Sequence, residues 1–245
     1  MAIAMTTEDV MSTQGAIGTN QWTTLLQFTD GLFPGGAYAH SFGLEWYVHA
    51  GALGDATSLE ALVRSYLEAS VAPTDAVLLL CSWEAGRAAD IERCLRIDAM
   101  LDALKPAQEL RSASRQMGKQ TLRIASSCMA HDLTQAFFRS VEQCLTPGHH
   151  PVALGIVGGG LDWNPRELIA AYLYSSSAML VNSALRLFPL GQLSGQRVLW
   201  NLQPLLGQLT TEVLKKREED IWSFTPALEI AAMRHSTLDA RLFRS

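Results

Sequence analysis

The chain has 245 residues, of which 48% are hydrophobic and only 18% charged, with a formal net charge of −5. An average soluble domain is about 25% charged. This composition excludes a disordered chain, which needs few apolar groups and much charge, and the acidic balance excludes a highly basic nucleic-acid binder. So apolar a chain must build a large core or reserve part of its exterior for an interface.

The first twenty residues are small, polar and rich in Thr and Gly. They have no basic n-region and no apolar h-region, so they do not form a secretory signal and are expected to be loosely ordered. No run of 18 uncharged apolar residues occurs, which predicts no transmembrane helix. Cys81, Cys94, Cys128 and Cys144 form no CxxC pair; they read as reduced, mostly buried thiols of a cytoplasmic protein.

From there the periodicity is helical. A first helix ends near Thr29, broken by Pro34, Gly35 and Gly36, and a second carries Leu44, Glu45 and Tyr47. Leu59, Leu62, Val63, Tyr66 and Leu67 share one helix face, with Thr57 and Glu60 spaced as a capping box. Arg111, Arg115, Lys119 and Arg123 follow one another at four-residue steps after Pro106, a slowly turning basic row. Thr146–Pro151 reads as a loop inside one domain. Gly158, Gly159 and Gly160 read as a helix stop whose small residues let another backbone approach. Asn164, Pro165 and Glu167 open a further helix by capping, fixed φ and dipole, which Pro189 and Gly191 stop. A stripe from Val198 to Val213 follows, which Pro204 must kink or split. Thr225-Pro226 opens a short last helix through about Met233. No window alternates as a strand does. The expectation is an all-α fold, a single-domain bundle of about eight to ten helices. It comprises a flexible segment over 1–20, a helical domain over 21–233 and a tail over 234–245.

Catalytic signals are weak. His40 and Ser41 are sequence neighbours, which rarely places base and nucleophile correctly, and the G-x-S-x-G elbow fails at Ala39. An all-α enzyme with a bundle pocket would instead use His40 and Glu45 as acid and base. The glycines at 158–160 and the Gly118-Lys119-Gln120-Thr121 stretch lack the remaining parts of a phosphate loop. No H-E-x-x-H pair occurs, and no cofactor or resident metal is expected. His149 and His150 could hold a borderline metal ion, though adjacent loop histidines are more often solvated. The basic row is a solvated face or a docking edge for an acidic partner. The C-terminus encloses the apolar pair Leu242 and Phe243 between Arg241 and Arg244. That pattern suits a segment ordered on a partner or docked on its own bundle.

Five ordered blocks carry a resemblance: LLQFTDGLFPGGAYAHSFGLEW (25–46), QELRSASRQMGKQTLR (108–123), HHPVALGIVGG (149–159), LVNSALRLFPLGQLSGQ (180–196) and RLFRS (241–245). Together they resemble the UreF family of urease accessory proteins, from about residue 22 to the end. The resemblance implies an all-α, commonly dimeric, non-catalytic protein. Such proteins bind a UreD/UreH-type accessory protein and recruit the GTPase UreG. The assembly delivers nickel to apo-urease, with the family member regulating or gating the GTPase. It implies partner-binding roles for Phe33, Pro34, Tyr38, His40, Ser41 and Glu45 in the first block, and for Arg241, Leu242, Phe243 and Arg244 in the tail. Arg111 also falls in a matching block, where Arg115 and Lys119 extend the candidate docking edge. The tail departs from the family pattern at Ser236 and Asp239. Direct nickel carriage by His149 and His150 is the third alternative.

Overall fold

The computed structural model describes residues 13–235, 238 and 242–243. Of the loose segment expected over 1–20, residues 1–12 lie outside the described residues and 13–20 already belong to a helix. The elements are α1 (Thr13–Thr29), α2 (Leu44–His49), α3 (Ala56–Tyr66), α4 (Val77–Arg87), α5 (Ile91–Leu104) and α6 (Gln108–Cys128). They continue with α7 (Asp132–Glu142), α8 (His150–Gly160), α9 (Pro165–Leu187), α10 (Gln192–Val213) and α11 (Pro226–His235). No strand occurs among the described residues. A π-helical stretch, Leu67–Ala76, joins α3 to α4 without a break, leaving ten separate rods among the described residues. The fold is all-α, as the periodicity predicts.

At the centre lies the pair α4–α8. Every residue of α8 from Pro151 to Gly159 is buried, which a helix apolar on all sides requires. The glycines explain how the two rods approach. A β-carbon at Gly155 would stand 2.4 Å from the Leu79 carbonyl oxygen, and one at Gly159 would stand 2.4 Å from that of Trp83. The triplet at 158–160 thus both ends α8 and brings in a second backbone. Around this pair pack α5, α6, α7 and α9, with α10 against α9 and α3.

Local signals explain most boundaries. The Asn164 side chain accepts the N–H groups of Arg166 and Glu167 at the start of α9. The capping box of α3 is Asp55 with Ser58, two residues earlier than the Thr57–Glu60 spacing suggests; the shorter acid reaches the N–H directly. Pro204 sits inside an unbroken α10. Its helix face is open to water, with Trp200 77% exposed, so the carbonyl that loses its partner can be hydrated. Pro73 is accommodated differently. It has no N–H to give back to the preceding turn, and the Ala69 carbonyl of that turn accepts the Phe224 N–H at 2.9 Å. The Thr74 hydroxyl donates to the Trp222 carbonyl at 2.6 Å, stitching the segment before α11 along the π-helical stretch.

Two compositional readings change. By length and composition α9 could cross a membrane, but Leu168, Ile169, Leu173, Leu180 and Val181 are buried inside the bundle. Only Cys81 and Cys94 are buried, while Cys128 and Cys144 are exposed; all four are free thiols. The apolar excess does reach the surface: Leu32, Trp200, Phe224, Leu145 and Tyr38 are each more than 70% exposed.

Candidate partner-binding site

The site begins at the turn after α1. Gly36 takes a left-handed φ of +89°, and a single 3-10 turn, Ala37–Ala39, follows. The chain then dives inward: His40, Ser41 and Phe42 are buried. Gly43, at φ +86°, turns it into α2, and a β-carbon there would stand 3.1 Å from the backbone nitrogen of Ala232. The glycine therefore serves both the turn and the close seating of α11 on α2.

Glu45, one residue into α2, is the hub. Its carboxylate accepts the His235 Nε2–H at 2.7 Å, the Leu242 N–H at 2.6 Å and the Phe243 N–H at 3.2 Å. Burial pushes the Glu45 carboxyl up, but the hydrogen bonds from Leu242, His235 and Phe243 outweigh it and hold it below its ordinary value. Phe243 is buried, whereas Leu242 remains 56% exposed. Arg186, near the end of α9, completes the arrangement. Its guanidinium carbon lies 3.8 Å from the Tyr38 ring centre and 4.2 Å from that of Phe243, and Nη1 donates to the Tyr38 carbonyl at 2.7 Å.

A groove of about 760 Å³ opens beside this cluster. Trp22, Leu26, Tyr38, Tyr174, Arg186 and Leu199 are among its walls. Its inner end carries Asp75, Lys105, Tyr172 and His150. Lys105 Nζ sits 2.8 Å from Asp75, and the Tyr172 hydroxyl donates to the same carboxylate at 3.3 Å.

Several sequence expectations are corrected by this geometry. His40, Ser41 and Glu45 are buried, so their side chains are not presented at the surface. Neither His40 nor Glu45 lines the groove, and Glu45 is committed to the tail, so the proposed acid–base pair is not assembled. Phe33 is half-buried, while Pro34 and Tyr38 are exposed. The basic row is divided. Arg111 donates to the Lys105 carbonyl at 3.0 Å and Arg115 pairs with Asp102; only Lys119 and Arg123 are exposed. Leu242 and Phe243 split, the first outward and the second onto the chain's own bundle. Arg241 and Arg244 lie outside the described residues.

His149 and His150 are not solvated loop residues. His149 is fully buried, with Nε2 2.9 Å from Asp102 and Nδ1 3.0 Å from the Ser114 hydroxyl. Desolvation holds its pKa below the ordinary value and pushes that of His150 down to about 4. Both His149 nitrogens are occupied, and no group of three or more potential ligands gathers for a metal among the described residues. Sequence reading also missed Asp98, which accepts the Thr146 hydroxyl at 2.6 Å and the N–H groups of Gly148 and His149 at 2.6 and 2.8 Å. Its signal was present: an aspartate on the apolar face made by Cys94, Ile97 and Leu101.

Known proteins resemble the chain along most of its length. A family model described as UreF matches residues 53–203. The urease accessory protein UreF of Bacillus sp. (strain TB-90) is 30% identical over 226 residues, 92% of this chain and 100% of the relative. That of Corynebacterium efficiens is 31% identical, covering 90% and 95%. That of Azorhizobium caulinodans is 33% identical, covering 87% and 90%. With this match and the helical bundle that presents it, the chain belongs to the UreF family of urease accessory proteins.

Proposed function

We propose that the protein is a non-catalytic scaffold in urease maturation, acting in the cytoplasm. It binds a UreD/UreH-type protein through its tail and recruits a UreG-type GTPase, and the assembly inserts nickel into apo-urease. In this reading nickel is cargo, and the chain couples or gates the GTPase rather than turning over a substrate. The observation that carries the proposal is the tail cluster. An apolar segment at the chain's end is held by Glu45 and Arg186 beside exposed Tyr38, with Leu242 facing outward. Tyrosine and arginine, here Tyr38 stacked on Arg186, are among the residues enriched at the energetic centres of interfaces. The groove favours a second copy of the chain as a further partner, since Trp22, Leu26 and Tyr174 stand exposed at its walls.

Deleting residues 236–245 tests the scaffold. It leaves α11 and His235 in place. The truncated chain should keep its helical circular dichroism, lose capture by a co-expressed UreD/UreH-type protein and fail to support urease activation. Retained capture and activation would sink the proposal. Lys119→Glu with Arg123→Glu separately tests the exposed part of the basic row. Loss of a salt-sensitive partner contact is expected, and unchanged binding across salt concentrations reduces that part to a solvated face.

A further inference from the structure

His40 and Glu45 do not meet the groove, but another set of reactive groups does. A β-carbon at Gly118 would collide with the Gly148 carbonyl oxygen, so the glycine lets α6 press against the loop before α8. That approach sets Ser114, one turn earlier on α6, beside His149. The Ser114 hydroxyl lies 3.0 Å from His149 Nδ1, and His149 Nε2 lies 2.9 Å from Asp102, which Arg115 holds in turn. An ionised carboxylate only accepts, so Nε2 carries the proton and Nδ1 is left to accept the Ser114 O–H. This is a nucleophile beside a base whose tautomer a third group fixes. Burial disfavours the imidazolium that proton transfer creates, while Asp98 and Asp102 favour it. His149 is fully buried, whereas Ser114 lines the inner end of the groove. A hydroxyl needed only to hold the ring would sit equally well out of reach of the groove. The His150 N–H, at the start of α8, meets the Ser114 oxygen at 3.4 Å, a donor for charge developing there.

We propose that Ser114 is a nucleophile that takes an acyl group from a small activated acyl donor, an aryl ester or a thioester, admitted through the groove. His149 Nδ1 removes the hydroxyl proton as the Ser114 oxygen bonds to the acyl carbon. The bond from that carbon to the leaving oxygen or sulfur breaks, and the leaving group departs with the proton from His149. Leu110 and Met117 are among the walls, which suits a short apolar acyl chain. The Lys105 ammonium has three donors and lines the inner end with Ser114, where it meets the negative charge that develops on the acyl oxygen. The product is one acyl group per chain. The site therefore adds a covalent modification to the scaffold and needs no turnover.

The test treats the full chain with 4-nitrophenyl acetate and maps the adduct by peptide mass spectrometry. The wild-type chain should be acetylated at Ser114, with a burst of one 4-nitrophenolate per chain. In urea the unfolded chain should not label there, because the fold assembles the base. Ser114→Ala should lose the burst while its helical circular dichroism is unchanged. Asp102→Asn keeps the shape of the side chain and tests the base without opening a cavity at His149. It should slow labelling of Ser114 about 100-fold with the circular dichroism still helical. Acetyl groups found only on lysines or exposed histidines overturn the proposal. So does labelling of Ser114 that keeps its rate in urea, or that a folded Asp102→Asn chain carries out at the wild-type rate.

Discussion

Two buried imidazoles each face a carboxylate in this protein, and they do opposite work. His149 meets Asp102 inside the junction of α5, α6 and α8, where Asp98 gathers the loop's hydroxyl and N–H groups and Ser114 holds the second ring nitrogen. His235 meets Glu45 where α11 and the tail close over α2. The first pair is walled in by helices that cannot part without unfolding. The second is covered on one side by Leu242 and Phe243, a contact that can open locally while the bundle stands. Similar chemistry therefore gives a structural knot in one place and a releasable clasp in the other.

The largest effect that tests this contrast is at the knot. Asp98→Ala leaves three buried donors without an acceptor and should cost about 3–5 kcal/mol of global stability in urea unfolding. A loss below about 1 kcal/mol would show that water or loop movement replaces the carboxylate. Next is Gly118→Ala, whose new β-carbon would stand 2.1 Å from the Gly148 carbonyl oxygen and 2.5 Å from the His149 carbonyl carbon. The displaced loop should cost about 1–3 kcal/mol in the same measurement. At the clasp, Glu45→Gln should change the global unfolding free energy by about 1 kcal/mol or less, because the tail leaves first. Amide hydrogen exchange at Leu242 and Phe243 should nevertheless lose its protection. Equal global losses for Asp98→Ala and Glu45→Gln would erase the distinction.

The two regions should also separate along pH, the mildest of the perturbations. His149 and His150 have pKa values below those of an unfolded chain, because burial disfavours their charged form. As pH falls below about 6.5 the unfolded state takes protons that the folded state refuses, so the core weakens first. Asp98, Asp102 and Lys105 face His149 and set how far its protonation is resisted. Glu45 is shifted downward, so its stabilising contribution is complete above the ordinary carboxylate pKa of about 4.3 and is lost only as pH falls through the lower folded value. Urea unfolding should accordingly begin to respond between about 6.5 and about 4, before tail-amide exchange does. It should respond further below that, where Asp102, which burial pushes up but Arg115 and His149 hold low, takes its proton.

Much of the bundle is written locally. Asn164 and Pro165 announce α9, and the apolar run at 151–159 announces a helix buried on every side. The site is less legible because its parts touch only through tertiary structure. Glu45 and Leu242 are separated by 197 positions, and nothing in either neighbourhood marks them as partners. Arg186 falls in a block resembling the family, yet its use by two aromatic rings depends on the bend at Gly36 and the return of the chain after α11. Arg111 and Arg115 mislead for the opposite reason. Four-residue spacing fixes their shared face but not what covers it, and here α5 supplies Asp102.

The stitch across the π-helical stretch has a consequence for how the molecule is made. The middle of the α3–α4 rod is completed by a hydroxyl-to-carbonyl bond spanning 148 positions, from Thr74 to Trp222, and by the Phe224 N–H given to Ala69. As the chain emerges during synthesis, that rod is born with an open seam and waits for most of the remaining sequence before it closes. Contacts of such separation are slow to form. The last helix and tail are therefore laid down on a bundle that their own connecting segment has just finished.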